Sequence, residues 1–342
     1  MNSRRRASTH RRNPGAGFPK RYVRRASLAA CLAVALASSL GHAQPFPNKP
    51  IRIIVPTIAG SAPDVRVRQI SPKLSEAVGQ PVIVDNRPGA NGTIATQLAA
   101  RAQPDGHTVF YGLINNAIYD LLYPGWCCQL NRELVPVVHF TLTPLVMVIH
   151  PGVQANTLQD YIRLAKARPK TVTYGSAGPG SITQLIGEWI NLKSGSRVLD
   201  VPYKSVGAEL PDLLGGQIMT AYLNPVVISA LVTSGKLRGL AVTGAARIAV
   251  LPNVPTMSEA GLPGVEASVW NGFLVPTGTP KPIIETLNRE FLRTFNAPDV
   301  REQVAASGSE IVGGRPEQFA GFIRQEIAKW GKVIKDAGIK PL

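Results

Sequence analysis

The sequence predicts an α/β fold of open, largely parallel sheets with helices on both faces. Three observations carry that expectation. Short β-branched runs alternate along the chain with segments whose apolar residues recur at helical spacing. Clusters of Gly, Pro, Asn and Asp punctuate them. Two strand-to-helix connections consist mostly of small, uncharged residues, and this fold class binds ligands beyond the carboxyl ends of its strands.

Pro50-Ile-Arg-Ile-Ile-Val55 is β-branched and closed by Pro56, so it reads as the first strand. The uncharged stretch from Thr57 to Pro63 is the first of the two loops. Val67, Ile70, Leu74 and Val78 then mark a helix that Gly79 stops and Pro72 should kink. A second strand, Pro81–Val84, runs into the turn-rich Asn86–Gly92. A helix over Thr93–Ala102, a turn at Pro104-Asp105-Gly106 and a strand over Thr108–Gly112 follow.

Farther on, Leu145–Ile149 and Val172–Tyr174 read as strands around a helix at Leu158–Ala167. Gly175-Ser-Ala-Gly-Pro-Gly-Ser181 is the second small-residue loop, and it opens a helix over Thr183–Lys193. Helical segments at Leu210–Leu214 and Ile228–Ser234 alternate with strands at Met219–Leu223 and Leu237–Val242. The last helix, Pro316–Lys335, aligns Phe319, Phe322, Ile323, Ile327, Trp330 and Ile334 on one stripe, so Trp330 reads as packing.

Composition narrows the function. The 342 residues suffice for two domains at about 150 residues each, and 44% apolar content against 17% charged can bury a core. Nine of the 37 basic residues lie in residues 1–43, which hold no acid. Removing them leaves 28 basic against 21 acidic residues, so the +16 formal charge falls to +7 and is dispersed. With no nucleic-acid motif either, that class is excluded.

The leader pairs Arg24-Arg25 with an apolar stretch from Leu28 to Leu40 and a small-x-small site at Gly41-His42-Ala43. The stretch is shorter than the ~20 residues that span a bilayer. This is a secretory signal peptide, cleaved after Ala43. A twin-arginine signal and a lipoprotein box at Leu28–Cys31 are the weaker readings. Export leaves Cys127 and Cys128 as the mature cysteines, adjacent and hence strained if bridged. A multi-span membrane protein and a disulfide scaffold are both excluded.

Catalytic signatures are scarce: no G-x-S-x-G, H-E-x-x-H, C-x-x-C or phosphate-loop motif occurs. His107, His139 and His150 each stand beside a strand without a partner at metal-ligand spacing, and read as structural. No catalytic residue, metal or cofactor is expected. The two loops offer different chemistry. Unpaired N–H groups at a helix start carry partial positive charge, and small residues let an anion approach them. Ser61, Ser176, Ser181 and Thr183 would add hydroxyls. Asp64 suits a first helical turn and Asp85 a strand end, although either carboxylate also suits acid–base work.

The stretches Pro47-Asn-Lys-Pro-Ile-Arg-Ile-Ile-Val-Pro56, Gly79-Gln-Pro-Val-Ile-Val-Asp-Asn-Arg-Pro-Gly-Ala90 and Ala102-Gln-Pro-Asp-Gly-His-Thr108 form a familiar series. Val201-Pro-Tyr-Lys204, Asp212-Leu-Leu-Gly-Gly-Gln217, Gly235-Lys-Leu-Arg-Gly-Leu-Ala-Val-Thr243 and Leu251-Pro-Asn-Val-Pro-Thr256 continue it, in order, across the mature chain. The chain resembles the Bug-type solute-binding receptors of tripartite tricarboxylate transporters. The resemblance implies a periplasmic-binding-protein-like (type II) fold of two α/β lobes with a ligand cleft between them. Lobe 1 would comprise 44–142 plus 268–342 and lobe 2 143–267, with Val269–Val275 returning between them.

It also implies a small carboxylate held by loop amides, hydroxyls and water. Ile58, Ala59, Gly60, Ser61, Ala62 and Asp64 would serve from the first loop. Ser176, Gly180, Ser181 and Thr183 would face them, with Asn115, Tyr203 and Asn224 at neighbouring strand ends. The expected partners are membrane permease subunits, or alternatively a periplasmic sensor domain, with the receptor a monomer in the periplasm. An enzyme on the same scaffold is the least favoured reading. The first loop departs from the family: its usual glycine run is replaced at Ser61 and Ala62, and Pro63 brings no N–H.

Overall fold

The computed structural model describes residues 46–123, 125 and 129–340. The leader with its cleavage site, and Cys127 and Cys128, lie outside the described residues. Strand β1 (Ile51–Val55), helix α1 (Ala62–Val78), strand β2 (Val82–Asn86), helix α2 (Thr93–Ala100) and strand β3 (Thr108–Leu113) open the fold in the predicted order. Gly79 ends α1 in the left-handed region at φ 69°, and its N–H reaches Ser75 O. Pro72 lies inside α1 without ending it.

Helices α3 (Ile114–Leu122) and α4 (Leu130–Glu133) then lead into the long strand β4 (Leu134–Pro144). After Leu145 come β5 (Val146–Ile149), α5 (Leu158–Ala167), β6 (Thr173–Ser176), α6 (Ile182–Ser194) and β7 (Leu199–Pro202). Helix α7 (Val206–Leu214), β8 (Thr220–Leu223), α8 (Pro225–Thr233) and β9 (Arg238–Val242) complete that run. Strand β10 (Ser268–Pro276), α9 (Lys281–Phe295), α10 (Pro298–Ala306), β11 (Glu310–Gly313) and α11 (Pro316–Asp336) finish the chain.

The strands make two sheets, one in the order β11-β4-β10-β3-β1-β2 and the other β7-β6-β8-β5-β9. Both are mixed, where the sequence suggests largely parallel ones. Strands β1, β2 and β3 pair in parallel, as do β6, β7 and β8. The antiparallel pairs come from strands that carry the chain between the sheets or follow such a strand: β4 and β5 on the way out, β10 on the way back. Such strands enter against the βαβ direction, and helix periodicity cannot reveal that.

Both faces of each central strand are buried, as doubly covered sheets require. In β1, Ile51, Ile53 and Val55 join one apolar cluster and Ile54 another; in β5, Val146 and Val148 face away from Met147 and Ile149. The cluster containing Ile54, Met147 and Trp330 runs across both sheets. Trp330 is fully buried, and its indole packs edge-to-face on Trp189 of α6 with ring centroids 5.5 Å apart. Its Nε1–H donates to Glu326 Oε2 at 3.0 Å. Phe322 and Ile327, expected on the same buried stripe, are only partly buried.

Three segments are stitched together where the chain crosses between sheets. Thr243, fully buried, accepts the Leu145 N–H on Oγ1 (2.9 Å) and donates that hydroxyl to Ala267 O (2.6 Å). Its own N–H reaches Leu145 O, and its carbonyl accepts the Ala267 N–H, both at 2.8 Å.

His139, on β4, is 3% exposed, lies against Trp270, Phe319 and Phe322, and among the described residues has no partner for Nε2. Burial drives its pKa down to about 4, against a backbone hydrogen bond at Thr141 that raises it. The unfolded chain therefore takes up this proton first, and stability falls as pH drops from about 6.5 toward 4, by roughly 3 kcal/mol in all. Urea midpoints measured between pH 7 and 4 should fall in wild type and fall less in His139→Phe.

Candidate functional site

The first loop connects β1 to α1. Its tip is open to solvent: Ile58 is 66% exposed, and Ala59 and Gly60 are exposed beside it. Gly60 sits at φ +79°, a conformation that costs an L-residue about 1–2 kcal/mol. The loop is fastened from below by Asp64, which is 1% exposed. Asp64 Oδ2 accepts the Gly60 N–H at 2.7 Å, while Oδ1 accepts Arg68 Nε at 2.9 Å and Asn86 Nδ2 at 3.0 Å. Asn86 Nδ2 also donates to Thr57 O at 3.1 Å.

Burial pushes the Asp64 carboxyl up, but the hydrogen bonds from Arg68, Gly60 and Asn86 together hold it below its ordinary value. Ser61 turns inward: its hydroxyl bonds Thr57 Oγ1 and Ile58 O, both at 2.7 Å. Ala62 begins α1 and is exposed. The N–H groups of Ile58, Ala59 and Ala62 have no hydrogen-bond partner among the described residues.

The second loop connects β6 to α6, and most of its polar groups bond one another. Ala177 N–H donates to Thr183 Oγ1 (2.9 Å), Gly178 N–H to Ser176 Oγ (3.2 Å) and Gly180 N–H to Gln184 Oε1 (2.7 Å). Ser181 caps α6 by accepting the Gln184 N–H on Oγ. Ser176, Ser181 and Thr183 are all buried, at 0%, 4% and 1% exposure. Among the described residues, the donors left without a partner here are the N–H groups of Ile182 and Thr183, in the first turn of α6. The hydroxyls predicted as ligand donors also build the loop, and the helix-start amides add further donors beside them.

The other predicted residues sit at strand ends of the same kind. Asn115 is half-buried in the first turn of α3, after β3, while its neighbour Asn116 is buried and accepts the Leu113 N–H at 2.9 Å. Tyr203, after β7, donates its N–H to Ser176 O (2.8 Å) and its hydroxyl to Asp212 Oδ2 (2.6 Å). Burial and that acidic partner push the phenol up to about 12. Asn224 caps α8, accepting the Val226 N–H at 3.1 Å. Among the described residues no hydrogen bond joins the first-loop set to the second. One turn does touch the starts of helices from both sheet layers. Arg66 of α1 donates to Ser307 Oγ (3.2 Å), and a Cβ at Gly308 would lie 2.7 Å from Pro225 Cβ of α8.

Sequence reasoning missed the fasteners. Asn86 and Gln184 hold the two loops, and both look like ordinary surface amides in the sequence. It also missed Glu209 on α7, which is fully buried and whose carboxyl oxygens have no hydrogen-bond partner among the described residues. Burial, then the nearby Asp200 carboxylate, raise its pKa to about 8. An acid within the otherwise uncharged Val206–Pro211 is the only trace it leaves in the sequence.

Residues 66–339 match the model of a family described as the tripartite tricarboxylate transporter family receptor. The protein BugT of Bordetella pertussis is 35% identical over 300 residues, covering 87% of this chain and 92% of BugT. Among solved structures, Rpa4515 of R. palustris with adipate superposes with a TM-score of 0.77 at 31% identity, covering 87% of this chain and all of that one. MatC from Rhodopseudomonas palustris with bound malate gives 0.72 at 28% identity, over 84% of this chain and all of MatC.

Proposed function

The chain belongs to the tripartite tricarboxylate transporter receptor family, and from that premise we propose that it is a periplasmic receptor that captures a small carboxylate and delivers it to membrane permease subunits. The observation that carries this reading is the set of unpaired amides at two strand-to-helix loops. Ile58, Ala59 and Ala62 supply it on one sheet, Ile182 and Thr183 on the other. Oriented N–H groups at helix starts favour an anion. Relatives solved with adipate and malate bind ligands of that class.

In this reading the two sheets are the cores of two lobes, 44–142 plus 268–342 and 143–267, and the cleft lies between them. Asp64 positions the first loop rather than touching the ligand. Ser176, Ser181 and Thr183 shape the second loop, and Asn115, Tyr203 and Asn224 border the cleft. The protein acts as a monomer, exported with cleavage after Ala43, and performs no chemistry on what it binds.

Thermal unfolding of the mature protein against a panel of aliphatic and aromatic mono- and dicarboxylates tests the proposal. At a hundred-fold excess over Kd a true ligand adds about 2.7 kcal/mol. A panel without a stabilising carboxylate, alongside stabilisation by a neutral solute, would sink it. Ser181→Ala should cost about 1 kcal/mol of stability through the lost helix cap. It should also weaken binding of the ligand found in the panel about ten-fold, a loss of about 1.4 kcal/mol, whereas an unrelated surface change stays within about 0.5 kcal/mol. An unchanged Kd by calorimetry removes Ser181 from the site.

A further inference from the structure

Glu209 is the least satisfied group among the described residues: fully buried, on α7, with both Oε atoms lacking a partner. Native proteins seldom leave a buried polar atom unpaired. Its carboxyl lies against the backbone of Gly175, where an added Cβ would come within 2.5 Å of Oε2. Gly175 immediately precedes Ser176 and the second loop.

Helix α7 packs on β6 and β8. The titratable groups of the surrounding elements are Tyr174 on β6, Tyr222 on β8, Asp200 on β7 and, on α7 itself, Asp212, which takes the Tyr203 hydroxyl. None of these four elements carries a lysine, arginine or histidine, and Lys204 in the connection is exposed. Glu188 of α6 accepts the Tyr174 hydroxyl. Asp200 in turn accepts Gln184 Nε2 at 2.9 Å, and Gln184 Oε1 holds the Gly180 N–H. An ionised Glu209 would therefore be a buried charge with no counter-ion, beside a carboxylate that anchors the same loop.

We propose that Glu209 keeps its proton in the folded protein and that this proton holds the second loop in order, so that loss of the proton loosens residues 175–185. The consequence for ligand capture rests on the reading of that loop as part of the binding site; the order of the loop does not. The folded state keeps the proton to about pH 8, whereas an unfolded chain releases it near 4.5. The stability it contributes is thus complete below pH 4.5 and is lost as pH rises through about 8.

The test needs no ligand. Amide exchange of the 175–185 segment, corrected for intrinsic rates, is measured by mass spectrometry from pH 6 to 9.5 in wild type, Glu209→Gln and Asp200→Asn. In wild type the protection factor should fall at least ten-fold with a midpoint near pH 8. Glu209→Gln, neutral at every pH, should abolish that fall and unfold at a higher temperature than wild type at pH 8.5. Asp200→Asn should shift the midpoint lower, because it removes the neighbouring charge; a merely structural role for Glu209 would not move it. Protection that stays flat in wild type, or falls equally in Glu209→Gln, overturns the proposal. Either result leaves the carboxylate panel untouched, and an empty panel leaves this result standing.

Discussion

Truncating Trp330 to alanine should cost about 3–5 kcal/mol of folding stability, the range for removing a large aromatic from a packed core. Three losses combine. The side chain is fully buried, so its removal opens a cavity in the cluster that spans both sheets. The edge-to-face contact with Trp189 disappears, and with it part of the docking of α11 on α6. Glu326, 6% exposed, loses the indole donor and keeps its ion pair with Lys329 alone. Urea unfolding followed by far-ultraviolet circular dichroism measures the change, and Trp330→Phe should recover more than half of it. A loss below 1 kcal/mol would mean that the two layers do not depend on this contact.

Asp64→Ala should impair both folding and capture. One carboxylate receives donors from the loop backbone, from α1 and from β2. Hydrogen bonds to a charged acceptor are worth about 1.5–3 kcal/mol each and overlap within one network, so a total near 3 kcal/mol is expected. Asp64→Asn should be nearly as harmful, since its amide NH2 must face one of these donors. Because hydrogen bonds hold the carboxyl below its ordinary range, its contribution is present above the unfolded pKa and vanishes as pH falls through the folded value. Freed from Gly60, the loop no longer presents Ile58 and Ala59 in a fixed pose, and affinity for the panel's carboxylate should drop at least ten-fold. An unaltered Kd in a folded Asp64→Ala protein would remove the first loop from the site.

What the sequence revealed, and what it concealed, follows from the range of the interactions. Strands such as Ile51–Val55 and the stop at Gly79 depend on local periodicity and backbone preference, and they appear where expected. The crossing strand β4 has no clear local signature, because His139, Thr141 and Thr143 interrupt its apolar run and both faces are buried by partners distant in the chain. In the candidate site, the small-residue loops stood out because they are unusual in composition. Which of their amides stay unpaired depends on Asp64, Asn86 and Gln184, whose side chains arrive from other elements and leave no local pattern. Glu209 was hidden for a related reason: only the packing of α7 on β6 shows that it is buried.

The Leu145–Thr243–Ala267 stitch bears on how tightly a solute can be held. A flexible tether between two bodies leaves them many relative orientations, and trapping a guest must then freeze all of those at once. Here the outgoing and returning strands are pinned to each other through one buried hydroxyl and its own peptide groups. In the proposed two-lobe reading, these bonds restrict any swing of one lobe against the other. Less orientational entropy then remains to be lost when a small carboxylate is trapped between the proposed lobes.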